Sequence, residues 1–464
     1  MTPKKNSITF QISERKLLLR LFDIAAICIG LNVLRFVFDF DYLIIDLNSL
    51  LELSVLFVYL MILGTIFEMY DLKNASKLDV TFRNIVLGAS TTVLFYLLTP
   101  YITPFLPENR LQIIYFYVAI IVSVFVWRWA YISFITSPRF FKKVLVLGQA
   151  DNLEKLADTL KSVDPNYQIV GYLDKAIQDE NSSKSRLKAF DVDDIFTVIE
   201  DEYISEVLIL NETSNQMTDK VYQNLIQLLE SGFSIREYTQ VFEEMTYRVP
   251  VHFIGKDFYK FFPFSRSNQN KLYLLFLRLF DLLFSMIGII IGVVFLPLVL
   301  IGNLIGNKGG LFYIQERVGR NGESFNIVKL RTMVANAEKD GIQWAVKNDK
   351  RITPFGNFLR RTRLDEIPQF FNVLKGEMSI IGPRPERPFF VKQLNDEIPF
   401  YEIRHVIKPG LTGWAQVNSR YGSSVDDSLL KLQYDLYYIK HRSVFLDFNI
   451  AVRTLSTILF YRGQ

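Results

Sequence analysis

The first third of the chain alternates long apolar stretches with short polar segments. Four apolar stretches stand out, at residues 17–38, 47–67, 85–105 and 111–135. An α-helix needs about 20 apolar residues to cross the hydrocarbon core of a bilayer, and each stretch is close to this length. The pattern therefore predicts a four-helix transmembrane region over residues 1–142.

The charges around these stretches predict their orientation. Basic residues precede the first stretch, fill the loop between the second and third, and follow the fourth; they are Lys4, Lys5, Arg15, Lys16, Arg20, Lys73, Lys77, Arg83, Arg139, Lys142 and Lys143. Because cytoplasmic loops are enriched in lysine and arginine, both ends of this region are expected in the cytoplasm. Arg35 and Arg128, near helix ends, are expected to reach toward the membrane surface as anchors.

Residues 143–259 change to short apolar runs that alternate with amphipathic helical patterns. The runs lie at 144–148, 169–174 and 207–210, and the helical patterns at 153–163 and 220–231. Strands that alternate with helices form parallel, doubly wound sheets, so we predict a Rossmann-like cytoplasmic domain here. Gly148 stands without the second and third glycines of the G-x-G-x-x-G fingerprint, so no bound dinucleotide is expected.

Another apolar stretch, at about residues 272–305, contains Arg278 and Asp281 near its start and Pro297 late in its length. Basic residues flank both of its sides, so the charges give no direction for a crossing. Proline removes a backbone donor and can break a helix. We therefore expect a re-entrant membrane helix that breaks at Pro297 and turns back, with a proline-kinked span as the alternative.

Charged residues that could take part in catalysis are concentrated in residues 360–388, where an adjacent carboxylate pair, Asp365 and Glu366, stands among arginines. These arginines are Arg360, Arg361, Arg363, Arg384 and Arg387. A carboxylate can attack phosphorus only where positive charge offsets its own charge and that of the phosphate. The sequence Gly-Pro-Arg-Pro at 382–385 places Arg384 in a stiff turn, which favours a functional arginine over a surface one.

Three further blocks accompany this segment. They are Gln315-Glu316-Arg317-Val318-Gly319-Arg320 and Lys329-Leu330-Arg331-Thr332-Met333 before it, and Pro409-Gly410-Leu411-Thr412-Gly413-Trp414-Ala415-Gln416-Val417 after it. In this order, over about the last 190 residues, the blocks resemble the signature of the polyprenyl-phosphate hexose-1-phosphate transferases. These are bacterial membrane enzymes that start glycan assembly on a lipid carrier.

The resemblance implies a reaction. Hexose 1-phosphate would pass from a UDP-sugar, such as UDP-glucose, to undecaprenyl phosphate with release of UMP. This would be the first membrane step of exopolysaccharide, capsule or O-antigen assembly. Asp365 would be the nucleophile that forms a covalent phosphosugar ester. Glu366, which faces another direction from its neighbour, suits a different task, most simply holding Mg²⁺ against the phosphates.

The resemblance also implies further roles. Phosphate-binding residues would be Lys329, Arg331, Arg360 and Arg384. Candidates for substrate or lipid contact are Gln315, Arg317, Arg320 and Gln416, with local folding as the alternative for the first three. Arg361, Arg363 and Arg387 are expected to face the anionic membrane surface.

The predicted architecture is a membrane α-helical bundle, a Rossmann-like middle domain and a mainly α-helical re-entrant catalytic domain over residues 260–464. The enzyme would lie in the bacterial inner membrane, among membrane lipids, with its active site on the cytoplasmic face. A homodimer fits a chain with this much additional membrane and soluble mass.

The net charge is only 52 − 48 = +4, which gives no support for nucleic-acid binding. Cys28 is the sole cysteine, which excludes an internal disulfide and a cysteine-based metal cluster.

Two other functions compete with this interpretation. A membrane nucleotide-sugar dehydratase or epimerase can also join four spans to a Rossmann domain, but it needs an intact glycine fingerprint beside a Tyr-x-x-x-Lys pair. A non-catalytic scaffold for polysaccharide export would have no need of Asp365 and Glu366. Release of UMP from a UDP-sugar and lipid phosphate separates all three.

Overall fold

A computed structural model describes most of the chain. The described residues are 12–135, 141–148, 153–174, 186–210, 218–251, 270–307, 309–334, 337, 341, 349–419, 422 and 424–459. The chain folds into two compact units, Met1–Thr246 and Tyr247–Gln464. The domain border predicted at residue 259 lies outside the described residues.

The first unit begins with a set of apolar helices. Their bounds are Ile12–Phe38, Leu50–Ile66, Leu72–Ala75, Leu78–Leu97 and Leu111–Ile135. Three of them are long and apolar enough to cross a membrane. The helix Leu50–Ile66 is equally apolar but has 17 residues, about 25 Å at the α-helical rise. The crossing of all four predicted spans stays a prediction.

The third predicted helix is displaced toward the amino terminus. The apolar pattern predicts residues 85–105, whereas the helix runs from Leu78 to Leu97. Polar residues such as Asp79 and Asn84 lie in its first turns, so the apolar pattern does not include these turns. The helix ends before Thr99 because a residue that precedes proline disfavours the helical conformation.

The prediction that Arg128 reaches the membrane surface is wrong. Its side chain is 1% exposed, and its Nε and Nη2 donate to both carboxylate oxygens of Asp23 at 2.9 and 2.7 Å. Asp23 lies on the helix Ile12–Phe38 and is equally buried. Inside the bundle, the ion pair with Asp23 offsets part of the cost of burying the Arg128 charge, so the side chain does not extend to the membrane surface. Arg35, by contrast, is exposed.

A five-stranded sheet follows the apolar helices in the first unit. Its strands are β1 (Lys142–Leu147), β2 (Tyr167–Asp174), β3 (Lys188–Asp191), β4 (Glu206–Ile209) and β5 (Ser234–Glu237). The order is β3-β2-β1-β4-β5, and every neighbouring pair is parallel. The intervening helices are Leu153–Val163, Ile195–Asp201, Asp219–Glu230 and Tyr238–Thr246. The prediction of a parallel, Rossmann-like sheet is confirmed, although β3 and β5 escape the sequence pattern. The loop at 149–152 lies outside the described residues, so the expected absence of a dinucleotide stays a prediction.

The second unit combines helices with two small sheets. Its helices are Lys271–Gly302, Pro354–Thr362, Phe370–Lys375, Pro388–Glu397, Trp414–Asn418, Val425–His441 and Val444–Leu459. Strands β6 (Phe312–Val318) and β7 (Ser324–Leu330) are antiparallel, whereas β8 (Ser379–Ile381) and β9 (Gly410–Thr412) are parallel. Trp414, Leu432 and Ile450 are among the buried side chains of its largest core.

The predicted helix break at Pro297 does not occur. The α-helix Lys271–Gly302 continues through this residue and then changes to a π-helix at Asn303–Asn307. Proline removes one backbone hydrogen bond and clashes with the preceding turn, which bends a helix without necessarily ending it. Whether the segment crosses or re-enters the membrane therefore depends on its contacts.

The long helix is held to the rest of the second unit at its beginning. Arg278 donates to the carbonyls of Val373 and Leu374 at 2.8 and 2.7 Å, at the carboxyl end of another helix. Asp281, which is 4% exposed, accepts from the Ser379 hydroxyl at 2.9 Å. These polar contacts attach one face of an otherwise apolar helix to the globular part of the unit.

The same globular part also contacts the middle and the end of the long helix. A Cβ placed on Gly288 would lie 2.3 Å from the ring of Phe370, so the two surfaces meet closely. At the end of the segment, Asn307 Nδ2 donates to the carbonyl of Arg331 at 2.7 Å. Large apolar side chains on the opposite face remain exposed; they include Leu275, Leu279, Met286, Ile290, Val294, Ile301 and Ile305. One face is thus covered by protein over the whole length, and the other is apolar and open.

Candidate active site

The carboxylate pair follows a short, well-capped helix. Thr353 caps the helix Pro354–Thr362 by accepting a hydrogen bond from Gly356 N at 2.9 Å. The helix ends at Arg363, which adopts the left-handed conformation with φ 59°. This conformation costs a non-glycine residue free energy, and such strain concentrates at functional sites. The turn at Arg363 starts a 3₁₀ helix, Leu364–Gln369, that carries both carboxylates.

Glu366 is surrounded by cationic side chains. Arg384 Nη2 donates to its Oε1 at 2.7 Å, Lys329 Nζ lies 3.9 Å from the same oxygen, and Arg363 Nη1 lies 3.8 Å from Oε2. Burial alone would raise the pKa of Glu366, but Arg384, Lys329 and Arg363 outweigh it and lower the pKa to about 2. Glu366 is therefore ionised at neutral pH.

Asp365 is held differently from its neighbour. It is 9% exposed, and its Oδ1 is buried without a hydrogen-bond partner among the described residues. Burial and the charge of Glu366 raise the pKa of Asp365 to about 6, against the opposing effect of Lys329, Arg360 and Arg363. A buried carboxylate oxygen without a donor is costly to maintain, so its presence favours a role with a ligand.

Lys329 lies beside both carboxylates on strand β7. Burial, followed by the charge of Arg384, lowers the pKa of this ammonium group to about 8, although Glu366 and Asp365 oppose the change. Its amine therefore carries a proton at neutral pH. A compact, half-buried cation beside two carboxylates suits an anionic substrate.

The turn that carries Arg384 is fixed through its backbone. Four consecutive carbonyls, those of residues 383–386, each accept a hydrogen bond at 2.8–3.0 Å; the donors are Gly410 N, Arg404 Nη2, Arg317 Nη1 and Val318 N, respectively. Gly382 precedes this turn, and a Cβ there would lie 2.5 Å from the carbonyl of Lys408. Close backbone approach thus explains why glycines stand in both the Gly-Pro-Arg-Pro block and the Pro-Gly-Leu-Thr-Gly block.

The structure brings together four of the predicted site residues with a fifth nearby. Lys329 and Arg384 pair with Glu366, and the charges of Glu366 and Lys329 shift the pKa of Asp365, so these four residues form one cluster. Arg360 is close enough to lower the pKa of Asp365, while its Nε donates to the Thr332 hydroxyl at 2.9 Å.

Other predicted residues make local contacts. Arg331 donates to the carbonyls of Gly310 and Asn307 at 2.8 and 2.9 Å, where it closes the turn after the long helix. Gln315 Oε1 accepts from Arg317 Nη2 at 2.6 Å, and Arg317 also holds the Arg384 turn. Arg320 belongs to an exposed turn between β6 and β7.

Gln416 lies on the helix Trp414–Asn418. Its amide nitrogen donates to the carbonyl of Leu411 at 2.9 Å, whereas its Oε1 is buried without a partner among the described residues. The neighbouring Trp414 donates to the carbonyl of Tyr247 at 3.1 Å. The block around Trp414 therefore serves mainly to build the body that carries the site.

Sequence reasoning assigned Arg363 to the membrane surface and did not identify Arg404 or Asp435. The left-handed conformation of Arg363, which directs it toward Glu366, leaves no local sequence signal. Asp435 did leave one. It recurs at helical spacing with Leu432, Leu436 and Ile439, which are all buried, and a charge on an apolar helix face predicts a buried partner. That partner is Arg404, at 2.8 Å.

The expected Mg²⁺ can be compared with these ligand groups. Among the described residues, no group of three or more His, Cys, Asp or Glu side chains converges on one point. Mg²⁺ requires less, because one or two carboxylates suffice when phosphate oxygens and water complete its shell. Glu366 is ionised, and the adjacent Asp365 has an oxygen, Oδ1, without a hydrogen-bond partner among the described residues. These two carboxylates fit the ion.

Comparison with known proteins places these residues in a family context. A family model described as bacterial sugar transferase matches residues 272–461. A Bacillus subtilis (strain 168) protein, provisionally named undecaprenyl-phosphate N-acetylgalactosaminyl 1-phosphate transferase, is 46% identical over 144 residues. That match covers 30% of this chain and 79% of the relative.

Two longer relatives match over a smaller share of their length. The Aeromonas hydrophila UDP-N-acetylgalactosamine-undecaprenyl-phosphate N-acetylgalactosaminephosphotransferase is 46% identical over 169 residues, which cover 36% of this chain and 40% of that protein. The Xanthomonas campestris pv. campestris UDP-glucose:undecaprenyl-phosphate glucose-1-phosphate transferase is 45% identical over 169 residues, or 35% of each chain. The chain thus matches less than half the length of these two relatives.

Proposed function

Because the chain belongs to the bacterial sugar transferase family, we propose that it transfers a hexose 1-phosphate from a UDP-sugar to undecaprenyl phosphate and releases UMP. One observation carries this proposal: inside a cluster of cationic side chains, Asp365 Oδ1 is buried and has no hydrogen-bond partner among the described residues. Such a carboxylate is suited to attack a phosphorus atom, because the cations offset the charge of an incoming diphosphate.

The reaction proceeds in two displacements at one phosphorus atom. In the first, an Asp365 carboxylate oxygen attacks the phosphorus that bears the sugar, and the bond from this phosphorus to the UMP oxygen breaks. UMP leaves with the electron pair, and an acyl phosphosugar ester remains. In the second, an oxygen of undecaprenyl phosphate attacks the same phosphorus, and the Asp365 carboxylate is regenerated. Covalent catalysis of this kind divides one difficult transfer into two easier ones.

The surrounding cations position the donor. Arg384, fixed by its backbone, presents its guanidinium to the phosphates, and Lys329 adds a compact charge beside it. Arg360, on the helix Pro354–Thr362, adds positive charge near Asp365. Mg²⁺, bound by Glu366 and the phosphates, would offset the remaining negative charge of the diphosphate. Arg363 and Lys329 keep Glu366 ionised and therefore able to bind a cation.

The contacts of the long helix support a re-entrant arrangement. If Lys271–Asn307 crossed the bilayer, the polar body that contacts both of its ends would have to extend through the hydrocarbon core, where unpaired polar groups cost several kcal/mol each. A helix that lies in the membrane with its open apolar face toward lipid avoids this cost. The helix Val444–Leu459 adds exposed Phe445 and Phe448 to a membrane-facing surface. We place the site on the cytoplasmic face of the bacterial inner membrane.

The decisive experiment traps the covalent ester. The full chain in detergent is mixed with a UDP-sugar labelled in its β-phosphate, without lipid acceptor, and digested for mass analysis. We expect stoichiometric UMP and a hexose phosphate on the peptide that contains Asp365. Asp349 is a matched control, since it is also buried but fully paired with Arg351 at 2.6 Å. Asp349→Asn should retain the adduct, whereas Asp365→Asn should lose it.

Two outcomes would change the proposal. Turnover in Asp365→Asn near that of the parent protein would mean that the lipid phosphate attacks directly and that the carboxylates serve only the metal. No UMP with any donor would remove the transferase assignment itself. A panel of UDP-glucose, UDP-galactose and their N-acetylated analogues selects the sugar. In Glu366→Gln, the residual rate should depend more steeply on Mg²⁺ concentration than in the parent protein.

A further inference from the structure

Outside the carboxylate cluster, Arg404 is a buried arginine with several hydrogen-bond partners. This residue is 5% exposed and lies on a 3₁₀ helix, Tyr401–Val406. Its Nη2 donates both to Asp435 Oδ2 at 2.8 Å and to the backbone carbonyl of Arg384 at 2.9 Å. Its Nη1 donates to the Tyr401 hydroxyl at 2.5 Å. One guanidinium therefore joins a buried carboxylate to the peptide group of a phosphate-binding residue.

The carbonyl that Arg404 binds determines where Arg384 points. A peptide plane is rigid, so fixing the carbonyl oxygen of Arg384 fixes the orientation of its Cα. The carbonyls of Pro383 and Pro385 on either side are held by Gly410 N at 2.8 Å and Arg317 Nη1 at 3.0 Å. Proline also restricts the backbone of this turn. The side chain of Arg384 then leaves the turn toward Glu366, 2.7 Å away.

Burying the charge of Asp435, the partner of Arg404, costs free energy. Asp435 is 1% exposed, and burial raises its pKa to about 6 although Arg404 opposes this. A buried ion pair is often no more stable than an apolar pair of similar volume, so stability alone gives a weak reason for it. An ion pair does fix direction, since the planar fork of arginine binds its acceptors at defined angles.

On the basis of the transfer reaction proposed above, we propose that Arg404, oriented by Asp435, is a positioning residue that sets the guanidinium of Arg384 against the donor diphosphate. Arg404 itself touches no substrate. Its effect passes through one carbonyl, and it must therefore disappear when Arg384 has no side chain to position.

A double-mutant cycle tests this dependence. UDP binding is measured by calorimetry on the full chain in detergent, for the parent protein, Arg404→Lys, Arg384→Ala and the double variant. Lysine keeps the positive charge but lacks the fork. We expect Arg404→Lys and Arg384→Ala each to weaken UDP binding about tenfold, and the double variant to bind within about twofold of Arg384→Ala. Losses that multiply in the double variant would overturn the proposal.

A matched control separates positioning from simple loss of packing. Arg442 is also buried, at 6% exposed, but it lies over the rings of Tyr273 and Tyr438. Arg442→Lys should lower the melting temperature about as much as Arg404→Lys, with UDP affinity unchanged. In steady-state assays, Arg404→Lys should raise KM for the UDP-sugar about tenfold and change KM for the lipid phosphate less than about twofold. Equal loss of UDP affinity in both variants would overturn the proposal.

Two provisions keep the test decisive. If Arg404→Lys does not fold, Asp435→Asn, which preserves volume, replaces it in the same cycle with the same two outcomes. If the parent protein binds no UDP, the proposed transfer reaction itself fails. If the parent protein binds UDP and the cycle is multiplicative, only the positioning role fails.

Discussion

Two buried aspartates, one in each unit of the molecule, have partners that are arranged in different ways. Asp23, in the apolar helices of the first unit, has both oxygens bonded by the single guanidinium of Arg128. Asp365, in the second unit, lies among several cations, yet its Oδ1 has no hydrogen-bond partner in the part of the chain that the structure describes.

The difference lies in how the partners are arranged. The bidentate pair gives each oxygen of Asp23 a guanidinium donor. Near Asp365, Lys329 and Arg363 pair with Glu366, and Arg360 donates to Thr332. These cations supply positive potential, and Asp365 Oδ1 has no hydrogen-bond partner among the described residues. A buried carboxylate with both oxygens paired is part of the packed structure, whereas one with an unpaired oxygen in a positive field is able to interact with a ligand.

The largest expected effect follows from removing the reactive charge. Asp365→Asn keeps the shape of the side chain but lacks the attacking charge, so turnover should fall by at least about 10³-fold. UMP release from UDP-sugar and lipid phosphate measures this. Asp23→Asn is the control in the other region, and activity per folded molecule should stay within about threefold of the parent protein. Similar losses of activity in Asp365→Asn and Asp23→Asn would show that the two aspartates do not differ in role.

The second effect is on stability, and it is expected at Asp23 in the first unit. Asp23→Asn leaves Arg128 buried without its carboxylate, which should cost about 3–5 kcal/mol of unfolding free energy. Thermal unfolding in detergent measures the change. Replacing both residues by apolar side chains of similar volume, Asp23→Leu with Arg128→Met, should recover most of the loss. Failure of this double variant to recover would indicate that the pair has a further role.

The third effect is on the pH dependence of stability, and it has opposite signs for variants of Asp365 and of Glu366. Ionising Asp365 is unfavourable in the folded state, since its pKa is raised to about 6, so its penalty grows as pH rises from about 4 to 6. Asp365→Asn should therefore be more stable than the parent protein by about 2–3 kcal/mol at pH 7 and equal to it below about pH 4. Glu366→Gln should show the reverse, because the lowered pKa of Glu366 stabilises the fold above about pH 4. Denaturation at several pH values measures both.

The smallest effect concerns Arg331, which the sequence assigns to phosphate binding. Its guanidinium is bound to two backbone carbonyls, so Arg331→Lys should lose about 1–2 kcal/mol of stability. KM for the UDP-sugar should stay within about twofold of the parent value. A tenfold rise in this KM would show that Arg331 contacts the donor after all.

These contrasts also explain what the sequence could predict. Strands β1, β2 and β4 are apolar runs with clear local signals, and Asp365, Glu366 and Arg384 stand in recognisable blocks. Strands β3 and β5 have four residues each and contain polar residues, so they lack an apolar run. They form by pairing with the edges of the sheet. A pairing such as Asp23 with Arg128, 105 residues apart, depends on helix packing that no local pattern contains.

The turn at Pro383–Glu386 has a consequence for how the protein is made. Its backbone is held by Arg317, synthesised 68 residues before Pro385, and by Arg404, whose partner Asp435 follows 31 residues later. Such distant segments must all be present before the turn can settle, because each contact closes a long loop at an entropic cost. A nascent chain on the ribosome would therefore carry its two carboxylates without the fixed arginine. We therefore expect the turn that carries Arg384 to form only after the segment with Asp435 has been made, and a chain terminated before this segment to lack the fixed arginine.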